Sequence, residues 1–334
     1  MKKFSLLPNL SGKGVFVFSD PGGAKPVLAF LKLNHKLQNY KVFSDRSYDF
    51  FSDFDIPVTI YTEGDELKVG DTFDADFLFT GTSVNSSIEV KFIKAFKERK
   101  IKTYSFIDHY TRILPRYEWE GDYYFSDVIC VLDEVAEKIV RLEIPNAEVI
   151  VSGNYFQEYI RNWIPKVSRE TFLQNLGIAN TKKIILFAPD PISRANHLDR
   201  YGKSEYGFDE YSVFQNLLRA LPKESQSEYV VVIKMHPNQD KETFLSFIKD
   251  SGANVIIGDQ FHTLTLLYYS NIIVGMFSNI LIEGNILGAK VIRCLIDLKC
   301  DDPFEGKNVG EPAYELNQMK DLILNYLNDQ DDSK

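Results

Sequence analysis

Short runs of β-branched and aromatic residues alternate with stretches of helical period along the chain, and the series starts twice. In the first half, residues 14–19, 40–43, 58–61, 76–81, 102–107, 128–132 and 148–152 read as strands, with helices most clearly over 86–100 and 134–142. After a polar stretch at 165–181, strands are expected at 183–188, 229–235, 253–257, 271–275 and 290–294. Helices are expected at 210–221, 241–251, 263–269, 279–287 and 316–327. Such a rhythm demands parallel sheets with crossover helices. One sheet of about twelve strands would exceed the usual size, so the second start predicts two doubly wound, Rossmann-like α/β domains. The expected division is 1–155, a linker region at 156–181, a second domain at 182–315, and a C-terminal helix and tail at 316–334. Two such domains facing a central cleft would gather the carboxyl ends of their strands around one crevice, where open α/β sheets bind ligands.

Composition narrows the partners. The 334 residues are 44% hydrophobic and 25% charged, which excludes a disordered chain. A net charge of −9, shared evenly by the two halves, argues against a nucleic-acid binder. The three cysteines (Cys130, Cys294, Cys300) lack CxxC spacing, which fits a reducing cytosol and argues against a disulfide framework or a zinc site. The opening residues are too short in apolar run for a secretory signal, and no uncharged run approaches the ~18 residues of a membrane span. The expected location is cytoplasmic, with at most peripheral contact at the inner face of the membrane.

The informative residues follow strands. The run 230–235 delivers His236 and Pro237 at its end; the proline stops the strand, and the imidazole either caps the loop or donates to a phosphate. Residues 271–283 read strand, turn, helix. Ser278 and Asn279 fall at the helix N-terminus, where N–H groups and the dipole suit an anionic phosphate, although both residues are also ordinary N-caps. Glu283, about one turn on, could accept from ribose hydroxyls.

With Lys234-x-His236-Pro237 after a strand and Ser278-Asn279-x-x-x-Glu283 ahead of Gly288-Ala289-Lys290, the second half resembles the donor domain of GT-B glycosyltransferases. The groups it resembles are bacterial sialyltransferases and polysialyltransferases, Kdo transferases, and, more distantly, CDP-glycerol glycerophosphotransferases. The resemblance implies that His236, Ser278 and Asn279 contact the donor phosphate, with Lys234 and Pro237 framing it; Asn279 stands where the sialyltransferase pattern has a second hydroxyl. Gly153-Asn154 resembles the glycine turn at the GT-B domain junction, another donor contact. No catalytic metal and no cofactor are implied beyond a nucleotide-sugar donor, expected to be CMP-linked.

In the first half, Asp108 and His109 lie just past a strand, where a carboxylate or imidazole could take a proton from an acceptor hydroxyl. The resemblance favours Asp108 as base, with His109 as runner-up or orienting partner. The Gly22-Gly23 turn after the first strand is not a dinucleotide fingerprint; by the same resemblance it faces the acceptor. Asp190, after the first strand of the second half, would be the nucleophile of a retaining enzyme. It opens a long polar connection holding Arg194, His197 and Arg200. Asp74-Ala75-Asp76 matches a metal-binding DxD but precedes a strand. Residues 91–116 carry eight basic against two acidic side chains, a local excess suited to an anionic acceptor or membrane surface, with Arg112 and Arg116 as acceptor contacts.

The expected function is metal-independent glycosyl transfer from a CMP-activated nonulosonic or ulosonic acid (sialic, pseudaminic or Kdo type) to a glycan or lipid-linked acceptor hydroxyl in bacterial surface polysaccharide synthesis. The alternatives are a CDP-glycerol-type glycerophosphotransferase, a UDP-sugar 2-epimerase and a non-catalytic carbohydrate-binding assembly subunit.

Overall fold

A computed structural model describes residues 10–179, 182–194, 204–235 and 239–329. The chain forms two compact units, residues 1–162 and 163–334.

In unit 1 the order is β1 (Lys13–Phe18), α1 (Pro21–Leu33), β2 (Asn39–Ser44), β3 (Thr59–Ile60), α2 (Asp65–Thr72), β4 (Phe77–Thr80), α3 (Ile88–Glu98) and β5 (Lys102–Ile107). A hairpin of β6 (Glu118–Trp119) and β7 (Asp122–Tyr123) follows, then β8 (Val128–Val131), α4 (Glu134–Glu143), β9 (Glu148–Val151) and α5 (Tyr155–Ile160). The seven-stranded parallel sheet runs β3-β2-β1-β4-β5-β8-β9. Alternation along β1 sets its two faces. Val15 and Val17 join Phe92, Ile93 and Phe96 of α3, while Phe16 meets Phe30 of α1, which stacks on Phe79 at 4.8 Å. Because both faces are covered, the central strands β1 and β4 carry near-continuous apolar runs rather than alternating ones.

Unit 2 holds α6 (Arg169–Leu176), β10 (Lys183–Ala188), α7 (Glu210–Ala220), β11 (Tyr229–Ile233), α8 (Lys241–Ser251), β12 (Val255–Ile257), α9 (Thr263–Tyr269), β13 (Ile272–Gly275), α10 (Asn279–Ile286), β14 (Lys290–Cys294), β15 (Glu311–Ala313) and α11 (Leu316–Asn328). Its parallel sheet runs β12-β11-β10-β13-β14-β15. Ile185, Phe187, Val231 and Ile233 pack with Phe214, Phe244 and Ile323 in one buried cluster.

Several elements lie outside the sequence-based expectation, among them the edge strand β15. Helix α2 sits in the unread stretch before β4, α5 begins one residue before the 156–181 stretch expected to be a linker and runs into it, and α6 falls within it. The hairpin is closed by Glu120 and Gly121, both at positive φ (55° and 86°), the backbone that a tight two-residue hairpin turn requires. Its Trp119 lies under Lys91 and Lys94 of α3, at 5.4 and 4.9 Å from the ring centre. No helix among the described residues is long and apolar enough to cross a membrane.

Candidate active site

Each sheet reverses its strand order once, between β1 and β4 in unit 1 and between β10 and β13 in unit 2. Loops leaving the carboxyl ends at such a point diverge and open a crevice for a ligand. Gly22 and Gly23 follow β1, Asp190 follows β10, and Ser278 and Asn279 follow β13; Asp108 and Lys234 follow the neighbouring strands β5 and β11.

In unit 1, the β1 and β4 loops meet backbone to backbone. A Cβ on Gly81 would stand 2.9 Å from the Gly23 Cα, so the contact needs glycine at both positions. Gly22 makes room for a different group, because a Cβ there would fall 1.9 Å from Oδ2 of Asp108. The Asp108 carboxylate therefore lies over the first turn of α1, where the helix dipole favours negative charge. Its other oxygen, Oδ1, accepts from Arg116 Nη1 at 2.7 Å; the same Nη1 donates to the Thr82 carbonyl (2.9 Å) and hydroxyl (3.1 Å). Arg116 is buried, whereas the Asp108 side chain keeps 24% exposure. A fixed, partly exposed carboxylate of this kind can receive a hydroxyl proton.

Three acidic groups and a second arginine complete this edge. Arg46 Nη1 donates to Asp20 Oδ1 at 2.8 Å. Burial raises the Asp20 pKa above the usual carboxylate value against the pull of Arg46, and Asp108 and Asp45 push the same way. Glu89 of α3 is buried and accepts from the Ser19 N–H (3.0 Å) and the Ser83 hydroxyl (3.2 Å), tying the β1 loop to the β4 loop. Desolvation raises its pKa to about 8. Among the other candidates, exposed His109 folds back on its own turn, with Nδ1 accepting from the Thr111 N–H at 3.3 Å. Arg112 is exposed in the left-handed region (φ 57°). Gly153 also has positive φ (75°), and Asn154 caps α5, its side-chain oxygen accepting from the Phe156 and Gln157 N–H groups.

In unit 2, the two loops are joined by a carboxylate instead of glycines. Asp190 Oδ2, after β10, accepts from the Phe277 N–H after β13 at 3.0 Å, and the Ser278 hydroxyl turns to the same carboxylate rather than capping α10. Burial raises the Asp190 pKa, and these hydrogen bonds oppose it. Asn279 opens α10 exposed, while Glu283 is buried (7% exposed). Nearby, fully buried Glu210 accepts from the Ser193 N–H (2.9 Å) and hydroxyl (2.7 Å). Lys234 directs its ammonium to the carbonyls of Asp259 and Phe261 at 2.8 and 3.1 Å, closing the loop after β12. His236 and Pro237 lie outside the described residues, as do His197 and Arg200.

The remaining motifs resolve locally. Asp74 and Asp76 sit at the amino end of the sheet, bound to Lys13 through its ammonium (3.4 Å) and backbone N–H (2.7 Å), on the opposite edge from the candidate site. Four members of the basic stretch pair with carboxylates outside it: Lys91 with Glu63, Lys97 with Asp127, Arg99 with Asp71 and Lys102 with Glu148, while Arg116 pairs with Asp108 inside it. Folding thus reduces the local positive excess of the sequence. Among the described residues, no three His, Cys, Asp or Glu side chains gather as a metal site.

The sequence profile of CDP-Glycerol:Poly(glycerophosphate) glycerophosphotransferase matches residues 146–292, under half of the chain. No curated protein matches by sequence. Among solved structures, UDP-GlcNAc 2-epimerase from Neisseria meningitidis, bound to UDP-GlcNAc, aligns with TM-score 0.63 at 15% identity, covering 94% of this chain and 90% of its own. UDP-GlcNAc 2-epimerase from Methanocaldococcus jannaschii gives 0.62 at 11%, covering 96% and 94%. ADP-heptose LPS heptosyltransferase II from E. coli gives 0.53 at 13%, covering 94% and 98%. The chain therefore has the two-domain α/β fold of the GT-B class, as its sequence predicted. The sialyltransferase and Kdo-transferase resemblance finds no counterpart among these likenesses, whereas the glycerophosphotransferase and epimerase alternatives each find one.

Two groups at the unit 1 edge escaped the sequence reading. Arg46 follows β2 as Asp108 follows β5, a post-strand position that could have marked it. Glu89 stands one helical turn before Phe92 and Ile93, so its place on the apolar face of α3 was readable as a buried carboxylate.

Proposed function

We propose that the protein transfers a group from a cytidine-nucleotide donor to a glycan hydroxyl, with CMP as leaving group. One leaving group spans both transferase readings. Attack on the β-phosphorus of CDP-glycerol moves glycerophosphate and releases CMP, and attack on the anomeric carbon of a CMP-linked ulosonic acid moves the sugar and releases the same CMP. The profile match over 146–292 favours the CDP-linked donor.

The observation that carries the reading is the Asp108 carboxylate, anchored by buried Arg116 and seated over the first turn of α1. In this role Asp108 removes the acceptor proton. Ser278, Asn279 and the N–H groups opening α10 hold the donor phosphate, and His236 stabilises the departing CMP. Asp190 holds the Phe277–Ser278 turn in shape, so an inverting, single-displacement course is favoured over one with Asp190 as nucleophile. Calorimetry with CMP, CDP and UDP tests the donor half. Binding of CMP and CDP that weakens in His236→Ala supports it; no cytidine-nucleotide binding, or binding untouched by His236→Ala, refutes it.

The epimerase likenesses favour a second reading, conversion of a UDP-sugar at C2. Mass spectrometry and NMR of UDP-GlcNAc incubated without acceptor would show an isomerised sugar in that case.

A further inference from the structure

We infer that the loop after β2 forms, with the start of α1, a binding site for the pyranose ring of an uncharged glycan acceptor. This rests on the acceptor role proposed for unit 1 and adds the chemical class of its ligand. The loop runs from Arg46 through Tyr48 into a short 3-10 turn, Asp49–Asp53. The Tyr48 and Phe50 rings stack with centroids 5.2 Å apart and planes 12° apart. Phe51 meets both edge-on, at 5.6 and 5.3 Å, and also meets Phe18 at the end of β1 at 5.6 Å. Phe51 thus fixes the turn to the sheet, while Tyr48 and Phe50 remain only half-buried. An aromatic pair held in this way is an apolar platform with little conformational freedom left to lose on binding.

Polar groups adjoin the platform. The Tyr48 hydroxyl lies beside the Arg46 guanidinium, which donates to Asp20 at 2.8 Å. Phe51 also lines an open hollow of about 440 Å³ with Ser52, Asp55, Ile56, Pro57 and Val58, within the size range of small-ligand sites. A sugar ring matches both features: its C–H face lies on an aromatic ring, and its hydroxyls donate to carboxylates. A phosphate-bearing polyol fits poorly. Arg46 and Arg116 are each paired with a carboxylate, the Lys25 ammonium lies over the Phe156 and Phe50 rings at 4.7 and 6.0 Å, and Asp45 and Asp55 add negative charge.

The test titrates the full chain, by saturation-transfer NMR, with neutral methyl glycosides, with glycerol 3-phosphate and, in parallel, with CMP. Saturation of glycoside ring C–H protons is expected, with affinity reduced about tenfold in Tyr48→Ala and about threefold in Asp20→Asn. Tyr48→Phe keeps the ring and should bind within about threefold of wild type. Should Tyr48→Ala fail to fold by circular dichroism, Phe50→Leu takes its place and is expected to lose affinity similarly. The inference is overturned if no glycoside binds, if glycerol 3-phosphate binds more tightly, or if the folded variants all bind like wild type. CMP binding without glycoside binding would overturn this inference and leave the CMP reading intact. Tyr48-dependent glycoside binding without CMP binding would uphold it and overturn the CMP reading.

Discussion

The two sheets reverse their strand order in the same way, yet they join the loops at that point by opposite means. In unit 1, Gly23 and Gly81 bring the backbones together, so the carboxylates of Asp20 and Asp108 remain at the edge, each paired with an arginine and partly exposed. In unit 2, the carboxylates themselves do the joining: Asp190 holds the Phe277 N–H and Glu210 holds Ser193. A carboxylate that satisfies backbone N–H groups fixes a loop; one held by a side chain beside solvent can exchange a proton. The same residue type therefore has chemistry assigned to it in unit 1 and architecture in unit 2. The largest expected effect tests the first assignment. Asp108→Asn should lower kcat by about 10²–10⁴ with CMP affinity unchanged, because the proposed donor contacts lie in the other unit. Gly22→Ala places a methyl where Oδ2 of Asp108 lies and should also reduce kcat without altering CMP binding. Normal turnover in Asp108→Asn would remove unit 1 from the chemistry.

Glu89 blurs the contrast, being an unpaired-by-arginine carboxylate of unit 1 that fixes loops as unit 2 carboxylates do. Its folded pKa, about 8, stands above the ordinary value of 4.5. Between those values the unfolded chain loses a proton that the folded chain keeps. The stability linked to this group is thus full below pH 4.5, falls as pH rises, and is gone above pH 8. Glu89→Gln mimics the protonated acid: its carbonyl accepts from the Ser19 N–H and its amide donates to Ser83. The variant should match wild type near pH 4.5 and exceed it near pH 8 by up to an order of 4 kcal/mol. Urea unfolding of both proteins across this range reads the difference, and parallel curves would show that Glu89 does not change protonation.

For unit 2 the prediction is smaller and has the opposite character. Asp190→Ala leaves the Phe277 N–H without its acceptor, at about 1–3 kcal/mol of stability, and loosens the Ser278 turn, so CMP affinity should fall. Asp190→Asn retains an acceptor oxygen and should recover much of both losses. A nucleophile would behave differently, because both variants would abolish transfer while binding CMP normally. Calorimetry and turnover on the pair separate the two roles.

These contrasts also mark what the sequence made legible. Periodicity reported the two parallel sheets and most crossover helices, because strands buried on both faces carry near-continuous apolar runs and are unmistakable. It located Asp108, Asp190 and Ser278 by the rule that ligands gather past strand ends. It could not foresee the different settings of Asp108 and Asp190, since each is an aspartate after a strand and only the partner differs: Arg116, eight residues away, in one case and Phe277, eighty-seven residues away, in the other. Helix α2 escaped notice because its eight residues bury only Glu66 and Val69, too little apolar stripe to display a period.

The basic stretch 91–116 is weaker on the folded chain than along the sequence for the same reason, since charge counted along a chain ignores partners that folding supplies. Lys97 lies 3.4 Å from Asp127 and Lys102 3.4 Å from Glu148, across neighbouring strands and loops. Both lysine side chains are more than 40% exposed, so each pair contributes under about 1 kcal/mol. Their effect is on surface potential: a lysine beside a carboxylate presents little net field beyond a Debye length of about 8 Å in physiological salt. Exchanging both lysines for glutamine should therefore shift the urea midpoint only slightly. It should also leave sedimentation with phosphatidylserine-containing vesicles unchanged. A salt-sensitive loss of vesicle binding in the double variant would instead show that these lysines act on an anionic surface despite their partners, and would return the stretch to the role its sequence suggests.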